Sequence, residues 1–260
     1  MQLTLYQVDA FTDHVFGGNP AAVCPLDEWL SDTIMQSIAA ENNLAETAFF
    51  VPKEGRYGLR WFTPMLEVDL CGHATLASAH VLYTELGYTE SSISFDTRSG
   101  QLSVTKHAQG YAMNFPLDEI TLVETPPEIR EGLALTPLET YRGKTDYLVI
   151  IESQEQLEAL QPDLRALARG NVRGTIVSAP GRDVDFVSRC FFPQSGIDED
   201  PVTGSAHTTL VPYWSQRLDK KQLTARQVST RQGDLICHHL GNRVELIGNA
   251  VTYLWGDVNV

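Results

Sequence analysis

Two stretches of this 260-residue chain share one construction, and any fold the chain adopts has to place both. Asp69-Leu70-Cys71-Gly72-His73-Ala74-Thr75-Leu76-Ala77-Ser78-Ala79-His80 reads as a strand or loop ending in a Gly turn, followed at once by a helix of small and apolar residues. Asp200-Pro201-Val202-Thr203-Gly204-Ser205-Ala206-His207 reads the same way, with a helix from Val202 to about Leu218. Arg60-Trp61-Phe62-Thr63-Pro64 precedes the first and Arg189-Cys190-Phe191-Phe192-Pro193 the second. Strand, Pro-containing loop, Gly turn and small-residue helix thus recur in one order, a weak internal repeat. Duplicated α/β domains, each with a central helix wrapped by mostly antiparallel strands, explain it, with the ligand site expected between the halves.

The remaining pattern supports this division. Leu3 to Ala10 alternates as a strand, Gly17-Gly18-Asn19-Pro20 is a turn, and Ala21 to Cys24 is a short buried strand. Ser31 is placed to cap a helix from Asp32 to about Glu41, with Ile34, Met35 and Ile38 on one face and Asn42-Asn43 closing it. Strands follow at 45–51 and 58–63, the first small-residue helix runs from Gly72 to about Leu86 before Gly87, and 93–115 reads as a meander. Pro116 to Pro127, acidic and Pro-rich, is the linker candidate, giving domains 1–116 and 117–260, with the last strand able to pack back onto the first.

Composition narrows the function classes. The hydrophobic fraction of 43% supports a sizeable core. A net charge of −14 argues against nucleic acid and anionic membrane as partners, because both need clustered Lys and Arg. It leaves room for a small anionic substrate at a locally positive site. Met1 to Asp9 has no basic n-region and no apolar h-region, and no apolar run approaches the roughly 20 residues of a membrane helix. The scattered Cys24, Cys71, Cys190 and Cys237 form no CxxC pair, so free thiols in a reducing cytoplasm are expected, with no metal site.

The chemistry concentrates at the two helix starts. Unpaired N–H groups and the macrodipole favour an anion there, and Gly72 and Gly204 let a ligand approach the backbone. Both glycines are equally readable as simple turn residues, with Thr203 or Ser205 as caps. His73 is either a packed histidine or a donor and proton carrier beside the bound anion. Glu46, in Asn43-Leu44-Ala45-Glu46-Thr47, is a carboxylate at an otherwise apolar strand entry, readable as a general acid/base or as an edge-strand charge. Asp200 is a charge favoured at a helix N-terminus or an acceptor for a substrate amine or hydroxyl. Cys71 is a base or nucleophile, or a small buried hydrophobe. Its counterpart in the repeat, Thr203, cannot act as a second thiol base, which argues against a cysteine-pair racemase.

Five motifs in order carry a resemblance across nearly the whole chain: Val8-Asp9-Ala10-Phe11-Thr12, Phe16-Gly17-Gly18-Asn19-Pro20-Ala21-Ala22-Val23, Asn43-Leu44-Ala45-Glu46-Thr47, Cys71-Gly72-His73-Ala74-Thr75 and Asp200 to His207. Together they resemble the PhzF family of phenazine-biosynthesis-like isomerases. The resemblance implies a diaminopimelate-epimerase-like fold, a homodimer, and a site without a cofactor. It implies Glu46, His73, Asp200 and Ser205 as catalytic residues, and Asn19, Cys71, Gly72 and Gly204 as substrate contacts. The expected activity is an isomerisation of a small carboxylate in which Glu46 alone moves a proton between two carbons. A racemase, epimerase or dehydratase using Cys71, and a silent binding protein of the same fold, are the alternatives.

Overall fold

Alternation in the first ten residues becomes β1 (Gln2–Ala10), and the computed structural model, which describes residues 1–260, builds outward from it. β1 pairs antiparallel with β2 (Asn19–Pro25), and β2 runs parallel to β3 (Glu46–Lys53) across the helix α1 (Asp32–Asn42). β3 turns back into β4 (Arg56–Phe62), which forms a hairpin with β5 (Glu67–Val68) and leads into α2 (Gly72–His80). β4 also runs parallel to β6 (Ser92–Thr97), from which β7 (Gly100–His107) and β8 (Gly110–Pro116) continue as an antiparallel meander.

The second set of elements repeats these pairings. β9 (Thr121–Val123) and α3 (Pro127–Leu133) come first, with β9 antiparallel to β10 (Glu139–Arg142). β10 pairs antiparallel with β11 (Asp146–Ile150), which runs parallel to β12 (Gly174–Pro180) across α4 (Gln154–Ala159) and α5 (Leu164–Leu167). β12 turns back into β13 (Phe186–Phe192), which pairs with β14 (Ile197–Asp200) ahead of α6 (Ala206–Leu218). β13 runs parallel to β15 (Gln222–Gln227), antiparallel to β16 (Gly233–His239), with β17 (Arg243–Gly248) next. The last strand, β18 (Ala250–Asn259), pairs antiparallel with β1. The chain accordingly divides into two units, Met1–Asn114 with Ile247–Val260 and Phe115–Leu246.

Local chemistry explains the shared plan. Ser31 Oγ accepts from Ile34 N at the start of α1, and Ser153 Oγ accepts from Gln156 N at the start of α4. The arginine of each repeated strand makes a two-pronged bond across its hairpin. Arg60 donates to Glu67 at 2.7 and 2.7 Å, and Arg189 to Glu199 at 2.8 and 2.8 Å. Each guanidinium also lies over the ring two residues on, Phe62 at 5.2 Å and Phe191 at 5.1 Å.

Each unit has its own core. In the first, Met35, Ile38 and Ala39 of α1 pack on Leu5, Ala22, Cys24, Phe49 and Phe62. In the second, Ile129, Leu157 and Leu167 pack on Val149, Val177, Val187 and Phe191. α2 is buried from His73 to His80 and touches β1, β2, β3, β7 and β18, which is why its residues are small.

Four expectations need correction. Ile34 is exposed and leaves the α1 core face to Met35 and Ile38. α2 ends at His80 and widens into a π-helical turn at Val81–Glu85, closed by Leu86 N to Val81 O at 3.0 Å. α6 begins at Ala206, because Val202–Ser205 forms a turn held by side chains rather than by the helix. Pro116–Pro127 is not bare linker, since it contains β9. No helix is long and apolar enough to cross a membrane.

Candidate active site

Glu46 is the first residue of β3, set opposite Ala21 by the parallel β2–β3 register, and its side chain is 13% exposed. Cys71 caps α2 in an extended conformation (φ −143°, ψ 110°) without a side-chain cap bond. Its carbonyl accepts Thr75 N at 3.1 Å and Thr75 Oγ1 at 2.6 Å, which fixes the turn. The N–H groups of Gly72 and His73 precede the first intrahelical bond and stay open, as a helix start provides.

His73 joins these pieces. Its Nε2 is 3.2 Å from Glu46 Oε2, and its Nδ1 is 3.5 Å from Cys71 Sγ and 3.2 Å from Asn19 Nδ2. The Glu46 contact has ion-pair distance but not hydrogen-bond alignment. Asn19 reaches the ring from the start of β2 through a turn that only glycine permits. Gly18 has φ +60°, and a Cβ there would lie 2.0 Å from Ala10 O. The Asn19 amide can meet either state of the ring: Nδ2 donates to a neutral Nδ1, and Oδ1 accepts from a protonated one.

Burial alone would pull the His73 pKa down, but Cys71 and Glu46 outweigh it and hold it well above the ordinary value. The Cys71 thiol is pushed up to about 11 by burial and by the Glu46 charge, against a smaller opposing pull from His73. With the sulfur a thiol at neutral pH, Cys71 no longer acts on His73 by charge, and the Glu46 contact is the cause that still favours the imidazolium. Glu46, Cys71 and His73 place an oxygen, a sulfur and a nitrogen within 4.8 Å of one another, a possible metal donor set. The imidazole turns opposite nitrogens to its two partners, so one ion held by all three would require the ring to rotate. The arrangement suits proton exchange along Glu46–His73 better than chelation.

In the second unit the residues singled out from sequence meet different partners. Asp200 ends β14, is buried, and accepts from Thr203 Oγ1 at 2.5 Å. Gln227 of β15 completes the knot: its Oε1 accepts Thr203 N at 2.8 Å, and its Nε2 donates to Asp200 O at 2.5 Å. Neither Thr203 nor Ser205 caps α6. Ser205 already has helical angles (φ −62°, ψ −31°), and its Oγ instead accepts from Arg173 Nη2 at 3.2 Å. Arg173 is held by buried Asp146 at 3.0 and 2.5 Å. The N–H groups of Gly204 and Ser205 have no acceptor in the chain, while those of Ala206, His207 and Thr208 are taken by the turn.

Arg173, Asp146 and Gln227 were not visible as site residues in the sequence; only the Asp200–Ser205 motif was. His80, His207 and His238 are each tied to neighbouring side chains or backbone. His80 bonds Tyr111 and Thr252 at 3.1 and 3.0 Å. His207, fully buried, has its pKa lowered to about 4 by burial, so its neutral ring donates Nδ1–H to Thr203 O at 2.9 Å. His238 pairs with Glu245 at 2.8 Å.

A helix entered through a Gly turn and packed against strands, built twice, places the chain in the epimerase-like class of mixed α/β folds. A hydroxyproline epimerase structure from Agrobacterium vitis shares this fold at a TM-score of 0.59, with 10% identity over 99% of this chain and 92% of that one. The chain belongs to the phenazine biosynthesis-like family, whose PhzC-PhzF model matches residues 8–256. A Pseudomonas aeruginosa relative described as an uncharacterized isomerase is 49% identical over 260 residues, covering 100% of both chains. The crystal structure of a PhzF-family protein from Enterococcus faecalis has a TM-score of 0.96 and 45% identity, again over 100% of both. The family is isomerase-like, as the names of its members indicate.

Proposed function

We propose that the chain is a cofactor-independent isomerase of a small carboxylate, with Glu46 as the group that moves the proton. The observation that carries this reading is the buried Glu46–His73 contact at 3.2 Å, backed by Cys71 and Asn19 on the other ring nitrogen. Glu46 takes a proton from one substrate carbon and returns it to another on the same face, while the electron pair shifts along the substrate. His73, favoured as the imidazolium, offers its Nε2–H to the carboxylate or to the oxyanion that develops. The open N–H groups of Gly72 and His73 suit the substrate carboxylate. Gly204 and Ser205 offer the same chemistry and serve the same reaction in this proposal, with Asp200 as acceptor for a further polar substrate group.

One carboxylate that both removes and returns a proton suits an allylic shift better than inversion of a centre. A racemase built on Cys71 has less support, because the thiol is raised to about 11 and Thr203 is committed to Asp200 at 2.5 Å. The test is proton NMR of cyclic and unsaturated amino acids incubated with the enzyme in D₂O. Solvent deuterium should enter a substrate carbon with the parent enzyme and not with Glu46→Gln. Undiminished incorporation by Glu46→Gln overturns the proposal. We further propose a homodimer, for which light scattering at twice the 28.9 kDa chain mass is the check.

A further inference from the structure

The second unit carries an open surface hollow of about 420 Å³ that the proposed reaction does not use. It is walled by the β10–β11 turn, by the segment ahead of β12 and by Gln194. Its charged lining is Arg142, Lys144 and Arg173, with no acid among the lining residues. The chain has 33 acidic against 19 basic residues, so three cations facing one hollow are not what its average composition would place there.

The partners of these cations decide how much charge is available. Arg173 is neutralised by Asp146 on one side while its Nη2 also reaches Ser205 at 3.2 Å. Arg142 and Lys144 have no acidic partner. The Arg142 guanidinium lies over the Tyr147 ring at 5.0 Å and donates one bond to Asn171 O at 3.1 Å, which fixes its plane and leaves its other N–H groups unused. Lys144 contributes only its backbone N–H to Asp118, at 3.1 Å. Two unneutralised cations, one of them oriented, with Thr145 and Asn171 as neutral hydrogen-bonding neighbours, form a receptor for an oxyanion.

We propose that this hollow binds an oxyanion group of a small metabolite, a phosphate or a carboxylate, held by Arg142 and Lys144 with Arg173 as third wall. The hollow is open to solvent and wider than a bare oxyanion, so it leaves room for the rest of a small molecule that carries the group. Arg173 is a positioning residue here, since an anion that draws its guanidinium also loosens its bond to Ser205. The anion comes either from the far end of the substrate or from a separate effector.

The full-length chain, ¹⁵N-labelled, is titrated with inorganic phosphate at ionic strength held constant with sodium chloride. Saturable shifts are expected at the amides of Thr145, Asn171 and Arg173. Phosphate affinity should fall at least about tenfold in the Arg142→Gln, Lys144→Gln double variant. Lys144→Gln alone, which leaves the Tyr147 stack untouched, should cost about two- to fivefold. Arg56→Gln, in the first unit, should leave it unchanged. Shifts that fail to saturate, or an unaltered affinity in the double variant, overturn the proposal. Binding is read without turnover, so its result stands apart from the fate of the Glu46 mechanism. With a substrate in hand, phosphate that competes with it marks a substrate subsite, and phosphate that binds without competing marks an effector site; each is a form of the proposal.

Discussion

The two Gly-turn helix starts are built alike and leave different things available. At α2, Cys71 makes no cap bond, and the His73 ring sits 3.2 Å from a carboxylate that is not aligned to hold it. At α6, Thr203, Asp200 and Gln227 bind one another at 2.5 to 2.8 Å. The histidines diverge too: His73 is raised well above its ordinary value, and His207 is lowered to about 4. Burial acts on both rings in the same direction, and only His73 has an acid beside it. One scaffold thus carries a histidine set beside a carboxylate in its first copy and a fixed polar knot in its second.

The largest effect separates the copies directly. Glu46→Gln should lower deuterium incorporation by at least about 10²-fold. Asp200→Asn should act mainly on substrate affinity, read as KM. Abolished exchange in Asp200→Asn with exchange retained in Glu46→Gln would reverse the assignment.

The histidines predict opposite pH dependence of stability. Folded His207 resists protonation down to about 4, whereas the unfolded ring takes a proton near 6.5. The unfolded state binds more protons in that window, so stability falls as pH drops through it, by about 3 kcal/mol in all. His207→Gln should flatten this acid limb in urea titrations at several pH values. His73 works the other way: its contribution is full below about 6.5 and fades as pH rises through its elevated folded value. A His73→Gln variant that keeps the parent's alkaline loss of stability would remove that account.

Smaller effects test the common frame. Arg189→Leu strands the partly buried Glu199 and should cost about 2–3 kcal/mol, read from the urea midpoint, whereas Arg60→Leu leaves Glu67 paired with Arg98 at 2.6 Å and should cost less. Equal losses at the two hairpins would show that Arg98 does not substitute for Arg60. Thr203→Val removes the Asp200 bond and should cost about 1 kcal/mol, unless Asp200 finds a replacement donor.

Much of this was legible in the sequence because it is local. The Ser31 cap, the Asn43 stop (φ 49°), the strands and the recurrence of Arg-strand, Pro loop and Gly turn all follow from spacing. The start of α6 was misread because Gln227, in a different strand, takes Thr203 N and keeps the turn out of the helix. Arg173 and Asp146 escaped for the same reason. Their partners lie 32 and 27 residues away, and nothing in Asn171-Val172-Arg173-Gly174 marks the arginine as different from a surface one. Ile34 was placed inside on periodicity, although three turns of α1 need only Met35, Ile38 and Ala39 to cover the sheet. The Glu46–His73 contact was foreseeable only as a pair of motifs, since the two lie far apart in the chain and only the packing of α2 on β3 brings them together.

The pairing of β1 with β18 bears on how the protein is made. Gln2 faces Asn259 and Ala10 faces Ala250, so β1 waits for this partner through the synthesis of the whole second unit. The second unit is continuous, Phe115–Leu246, and can close once its own residues have emerged. Synthesis therefore favours an order in which the later-made unit completes first, and the first unit holds this edge of β1 unpaired until β18 has emerged. The ends also meet: Val260 N donates to Met1 O at 2.8 Å. Joining them through a short peptide and reopening the chain at the exposed Gly241 turn would give a permuted protein in which β18 and β1 are made as consecutive strands.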